Sequence, residues 1–332
     1  MNKFKLIIGI IAVVLLGGLL TFYKPAPAPE QELGTPTSSL EETPGQPIVQ
    51  KPTTSKPAPA TAKTSPVVFA IKDAAVALGN LQSLFMTISE VSIQVPGRGW
   101  VPVVNQQMTF DLLQLKREGG APQFLAEINL AKGTYNQIRL VVDSVVVTQN
   151  NIPKIAKLPS GEMKIITNLI VEENRSSGVV LDFEADKSLH STGNGEYIFA
   201  PVIKLTTLRG PEIQRFGKKV EFIGGVGDFS GNVGMDENGE THPNSSIDPN
   251  AKLELVRGKI VVIPLGIDQE KLKVSAEQAV DAVFSAKYID RLLSVKAELK
   301  NNKTTWRILG MLGSALLKIY VNAETGEIIA LE

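Results

Sequence analysis

The sequence predicts a mainly β protein: an antiparallel β-sandwich head, a small α+β helix-and-meander module behind it, and one transmembrane helix at the N-terminus. Three observations predict it. Short β-branched runs separated by Gly, Pro and Asn recur between Val67 and Leu205, the spacing of an antiparallel sandwich. Ser275-Ala-Glu-Gln278 is a capping-box start that precedes a helical apolar stripe and further strand-like runs. An apolar run without charge fills residues 6–23.

At a rise of ~1.5 Å per residue that run makes about 27 Å of helix, close to the ~30 Å hydrocarbon core. Phe22 and Tyr23 fall where an interfacial aromatic belt lies. Lys3 and Lys5 favour a cytoplasmic N-terminus with the bulk of the chain extracytoplasmic. A cleaved signal peptide is the competing reading. Its small-x-small candidate, Ala26-Pro27-Ala28, is embedded in alternating prolines. Residues 24–66 then hold ten of the 20 prolines among Thr, Ser, Ala, Gln and Glu. Such a stretch cannot bury enough surface to fold, and reads as a disordered stalk.

In the head, residues 67–205, strand-like runs cover 67–71, 84–95, 100–104, 108–113, 137–148, 163–166, 178–183 and 197–205. Within 86–94 neither parity is cleanly polar, so no face is assigned. Residues 138–147 are apolar on both parities except at Arg139, Asp143 and Ser144, the pattern of a central strand covered on both sides. Four segments, Asp73–Glu90, Phe110–Leu115, Gly133-Thr-Tyr-Asn-Gln-Ile-Arg-Leu140 and Leu158-Pro-Ser-Gly161, resemble domain-of-unknown-function family 4382, whose members are extracytoplasmic and often lipoprotein-like. The resemblance implies a surface-exposed sandwich of prealbumin or immunoglobulin type and no catalytic residues. Members commonly carry a lipidated cysteine; this chain has no cysteine, and a hydrophobic helix stands in its place. Asp73-Ala74-Ala75 also replaces the usual Asp-Ala-Pro. Tyr135 and Arg139 read structurally as braces between a loop and the next strand, with Arg139 paired to Asp143 or Asp111, and functionally as ligand contacts. Trp100, in Pro96-Gly-Arg-Gly-Trp100, either stacks on a sugar or packs on its own sheet.

Residues 206–274 read as a β-hairpin or connector, with runs at 219–223 and 253–263 around a long polar loop, 224–252. Asp228, Asp236, Asn238, Glu240 and Asp248 invite a calcium reading. With Asp236 at position 1, however, position 6 is Thr241 rather than the Gly an EF-hand requires, and a solvated loop explains the composition. No metal site is assigned.

Residues 275–332 form the last module. Ala279, Val280, Val283 and Phe284 make the helical stripe, and strands follow at 294–299, 305–309 and 315–321, with a turn at Lys300-Asn-Asn-Lys303. Gly326 is free to take positive φ before a final short strand. With Trp306-Arg-Ile and Val321-Asn-Ala-Glu-Thr-Gly-Glu-Ile328, the module resembles the PepSY domain of secreted peptidase propeptides and cell-envelope proteins, which implies protein contact or peptidase regulation. Trp306 joins Trp100, Tyr135 and Arg139 as a candidate contact residue.

Composition narrows the function. The 34 Lys and Arg balance 34 Asp and Glu, which argues against a nucleic-acid partner, since phosphate affinity comes from clustered cations. Zero cysteines exclude disulfides, a cysteine nucleophile and thiolate metal sites. The two histidines, His190 and His242, sit in unrelated polar segments, and no phosphate loop or dinucleotide motif occurs. No catalytic residue and no cofactor is therefore assigned. The reading is a non-catalytic, membrane-anchored cell-surface protein whose sandwich binds an envelope glycan or a surface protein. Regulation of a secreted peptidase through the PepSY-like module is the alternative, and a purely structural role the second. Asn174, Asn244 and Asn302 open glycosylation acceptor sequences that chance also explains.

Overall fold

The structure, a computed structural model, describes residues 63–73, 78–117 and 120–332, all within one compact unit. The 6–23 segment and most of the 24–66 stalk lie outside the described residues. Among the described residues, no helix is long and apolar enough to cross a membrane.

In chain order the elements are β1 (Thr64–Asp73), β2 (Leu81–Val95), β3 (Gly99–Val104), β4 (Met108–Asp111), α1 (Leu112–Arg117), β5 (Gln123–Ala131), β6 (Gly133–Gln149), β7 (Ile152–Ile155), β8 (Glu162–Val171), β9 (Ser177–Phe183), α2 (Ala185–Ser188), β10 (Leu189–Ser191), β11 (Tyr197–Phe199) and β12 (Val202–Arg209). There follow β13 (Glu212–Phe216), β14 (Lys219–Ile223), β15 (Val226–Met235), β16 (Thr241–Pro243), β17 (Lys252–Val256), β18 (Lys259–Ile263), α3 (Ala276–Ser285), β19 (Arg291–Lys300), β20 (Lys303–Leu312), β21 (Ala315–Asn322) and β22 (Ile328–Leu331). The first sheet runs β13-β14-β5-β1-β9-β12-β15-β16. The second runs β3-β2-β6-β7, with β4 also on β2 and β8 on β6, and the third runs β17-β18-β19-β20-β21-β22. The protein is thus mainly β. The first two sheets share one core, in which Phe69, Ile71, Leu181 and Phe183 join Met86, Ile88, Ile138 and Leu140.

The antiparallel expectation needs two corrections. β1 and β9 are parallel, with Val67 opposite Ser177, and so are β18 and β19. Central parallel strands require cover on both faces, and all seven residues of β9 are buried. Its outer cover is the β13–β14 hairpin. Val220 of that hairpin packs with Val68 and Ala70, and Phe222 lies so close to Gly178 that a Cβ there would come within 2.6 Å of its ring. The doubly covered strand is therefore β9, not 138–147. β6 does lie between β2 and β8, but it buries one face and leaves Val141 and Val146 half-buried on the other. In β2, Leu84, Met86 and Ile88 point inward and are followed by Val91 and Ile93. Register shifts after Thr87 and Ile88 switch the inward parity, which explains the mixed alternation of 86–94.

Several stretches outside the runs read as strand are strand, β5, β7, β13 and β16 among them, with two more in the stretches read as stalk and polar loop. Thr64–Pro66, placed in the stalk, begin β1, with Pro66 opposite Asn129 of β5; the pairing to β9 starts only at Val67, so the missing proline N–H lies outside that ladder. Residues 226–235, placed in the polar loop, form β15 against β12. Their glycines serve geometry: Gly231 has φ +83 beside the register shift opposite Lys204 and Thr206, and a Cβ on Gly234 would sit 1.8 Å from the Ser245 carbonyl oxygen.

The 206–274 segment is shared between sheets. β13 to β16 extend the first, while β17 and β18 open the third. The β17–β18 hairpin is apolar on both faces. Leu253, Ile260 and Val262 enter the sandwich core, whereas Val256, Val261 and Ile263 enter the core beneath α3. That second core is fixed at its start by the capping box: Ser275 Oγ accepts from the Gln278 amide at 3.1 Å and Gln278 Oε1 accepts from the Ser275 amide at 2.9 Å. Asn301 and Asn302, at φ 52° and 60°, form the two-residue turn between β19 and β20.

Candidate functional site

The outer face of the second sheet brings two of the four candidate contact residues together. Pro96-Gly-Arg98 form a three-residue hairpin loop between β2 and β3. The Arg98 amide donates to the Val95 carbonyl at 3.0 Å, and Gly97 and Gly99 hold φ of +73° and +74°. This turn sets Trp100 directly opposite Gln94, and β6 sets Arg139 opposite Ser92. Trp100 is half-buried, and the Arg139 guanidinium carbon lies 4.9 Å from its ring centroid, a cation–π stack. Arg139 Nη2 donates to Glu90 Oε1 at 2.6 Å and Nε to Ser92 Oγ at 3.1 Å. That hydrogen bond, with a further one from Ser92, holds the Glu90 carboxyl below the usual carboxylate range.

The partner of Arg139 is thus Glu90, not Asp143 or Asp111. Asp111 Oδ1 instead accepts from the Leu84 and Leu113 amides, both at 3.1 Å, and Asp143 accepts from Gln107 Nε2 at 3.4 Å. Tyr135 faces the core at 4 % exposure, and its hydroxyl donates to the Ala131 carbonyl at 2.7 Å, tying the β5–β6 turn to the strand. Burial pushes its phenol upward. Trp306 is remote from these residues in sequence and belongs to the second core. It is 1 % exposed, with Nε1 donating to the Val274 carbonyl at 2.8 Å, so its ring is a packing element under α3 rather than a surface.

Beside Trp100, the turn borders a groove of about 300 Å³ lined by Gln94, Pro96, Gly97, Gly99, Thr134 and Asn136. Gln94 belongs to both, since it is the cross-strand neighbour of Trp100. The result is an aromatic surface stacked with a guanidinium that is itself paired to Glu90, with the exposed Gln94 amide beside it. Such an arrangement can accept a stacked ring and hydrogen-bond its edge. Sequence reading missed Glu90, Ser92, Gln94 and Asn136. The alternating polar residues Glu90, Ser92 and Gln94 carried a signal, but their register against Arg139 and Trp100 did not follow from it.

The other polar candidates have structural employment. Asp236 Oδ1 accepts from the Asn238 and Glu240 amides, Asp248 Oδ1 from the Asn250 amide, and Asp228 from Asn168 Nδ2. Among the described residues, no three His, Asp or Glu side chains converge as metal ligands would. His190 is buried in β10, which pushes its imidazole pKa down. Asn174, Asn244 and Asn302 all take left-handed backbone in exposed turns, φ 59°, 55° and 60°, which accounts for asparagine there.

No curated protein and no solved structure matches the chain. The family model described as Domain of unknown function (DUF4382) matches residues 64–201, which span β1 to β11: all of the second sheet, but only β1, β5 and β9 of the first. That matched stretch, which contains the Trp100 and Arg139 surface, is the part of the chain that is similar to the family.

Proposed function

We propose that the protein is a non-catalytic binding protein of the cell exterior, held to the membrane by residues 6–23, whose sandwich engages an envelope glycan at the Trp100 surface. The observation that supports this most is the partly exposed indole on the outer sheet face, stacked with Arg139 and paired across the strands with Gln94. A sugar ring has an apolar C–H face and a hydroxyl edge, and a fixed aromatic plane next to amide groups meets both. In this reading the head is an elaborated prealbumin- or immunoglobulin-type sandwich that presents ligand on one sheet. The test is retention of the full chain on purified, immobilised envelope polysaccharide. Trp100→Ala is expected to weaken retention about 30-fold, the effect of losing a central aromatic contact of about 2 kcal/mol. Equal retention of both proteins rejects glycan contact at this face.

A second reading makes the PepSY-like module the working part, docking on a secreted peptidase. Leu312 and Leu316, exposed at 46 % and 58 % around the β20–β21 turn, favour it. Full chain at saturation should then slow such a peptidase; unchanged proteolysis removes this reading.

A further inference from the structure

We propose that the cleft between β4 and the β13–β14 turn binds an amphipathic organic anion, a carboxylate carrying an aromatic or medium-chain alkyl body. The cleft has a volume of about 500 Å³, within the roughly 300–1,000 Å³ of small-molecule sites. Its wall is mixed: Phe85, Met108, Phe110, Leu115 and Phe124 line it beside Thr109, Gln114 and Gln123, and Phe85 remains 43 % exposed although it lies inside a long strand. Its rim is cationic, with Arg215 and Lys218. The wall carries one carboxylate, Asp111, whose Oδ1 is taken by the Leu84 and Leu113 amides.

Two further observations point to an anion. The Arg215 guanidinium carbon lies 3.5 Å from the centroid of the Phe124 ring, a cation–π contact that keeps the charge at the cleft rim. Among the described residues, neither Arg215 nor Lys218 forms an ion pair with a carboxylate, in contrast to Lys72, Arg139, Lys187, Arg257 and Arg307, all of which do. The rim is also preformed. Gly217, at φ +63°, opens the two-residue Gly217-Lys218 turn, and the hairpin is pinned to β5 by the Phe124 amide donating to the Lys218 carbonyl at 2.7 Å and the Val220 amide donating to the Pro122 carbonyl at 2.9 Å. A carboxylate at the outer edge of Arg215 gains guanidinium donors and a neighbouring ammonium, while its body covers the exposed Phe85 ring. A neutral amphiphile gains only the second of these, and a cationic one is repelled.

The experiment is calorimetric titration of the full chain with decanoate at neutral pH, with decyltrimethylammonium as the comparator of opposite charge. Decanoate is expected to fill one saturable site. Arg215→Glu should weaken it at least tenfold, Lys218→Glu should weaken it less, and Trp100→Ala should leave it unchanged, which separates this site from the glycan reading. Arg215 is exposed, and an unaltered circular dichroism spectrum and melting temperature would show that its variant keeps the fold. Decanoate that fails to saturate, that binds Arg215→Glu as well as the parent, or that binds no better than decyltrimethylammonium overturns the proposal.

Discussion

Replacing Ile260 with Ala probes how the two cores are joined. Ile260 sits on the β17–β18 hairpin with its side chain in the sandwich core, while the adjacent Val261 enters the core under α3. Three carbons are removed from a site that is 6 % exposed. At about 0.8 kcal/mol per buried methylene the transfer loss is about 2.4 kcal/mol, and the residual cavity raises it to about 3–4 kcal/mol. With a urea slope of about 3 kcal/mol/M for a unit of this size, the midpoint should fall by about 1 M. The chain has two tryptophans, one reporting on each core: Trp100 on the second sheet and Trp306 under α3. Unfolding is followed by fluorescence in Trp306→Phe and Trp100→Phe backgrounds, each with and without Ile260→Ala. One cooperative unit requires both reporters to shift by the same amount. If Trp306 keeps its midpoint while Trp100 moves, the hairpin does not couple the cores and the reasoning fails.

Two more outcomes follow from single contacts. Because Arg139 holds the Glu90 carboxyl below its ordinary range, that carboxylate contributes stability above about pH 4.3, the usual glutamate value, and the contribution is lost as the pH falls through the folded-state value. Trp100 fluorescence in the Trp306→Phe background should accordingly show a step on acidification that Glu90→Gln removes; a step that survives the substitution would assign it to another group. Gly234→Ala, which drives a Cβ into the Ser245 carbonyl, should cost about 3 kcal/mol in urea denaturation even though alanine suits a strand no worse than glycine, and a cost under about 0.5 kcal/mol would mean that the 244–245 segment moves aside freely.

What could be read from sequence was local. The capping box at Ser275 and Gln278, the Asn301-Asn302 turn and the positive φ of Gly326 depend on a few adjacent residues, and each occurs where its chemistry put it. What could not be read was long-range. Pairing β1 with β9 in parallel joins residues more than a hundred positions apart, and nothing in Ser177–Phe183 distinguishes a strand covered by β13–β14 from one at the edge of a sandwich. Within 206–274 only 219–223 and 253–263 were legible as strands, and the second of these alternates between two cores, so neither showed which sheet it joins. Arg139 was legible as a bracing cation, yet Asp143, near in sequence, was a more obvious partner than Glu90, which only the β2–β6 register brings to it. The glycines of 226–235 misled because a bulge and a close backbone approach leave the same compositional trace as a loop.

The position of β1 has a mechanical meaning. It enters the first sheet at Thr64 and is flanked by β5 on one side and β9 on the other, whereas β22 is an edge strand held by β21 alone. Tension applied along β1 at Thr64 loads two ladders of hydrogen bonds in shear, so many must yield together. Tension that lifts β22 away opens its short ladder one bond at a time. Load entering at Thr64 therefore meets one of the most firmly held strands, and in force spectroscopy β22 should be the first strand to yield while β1 stays in place.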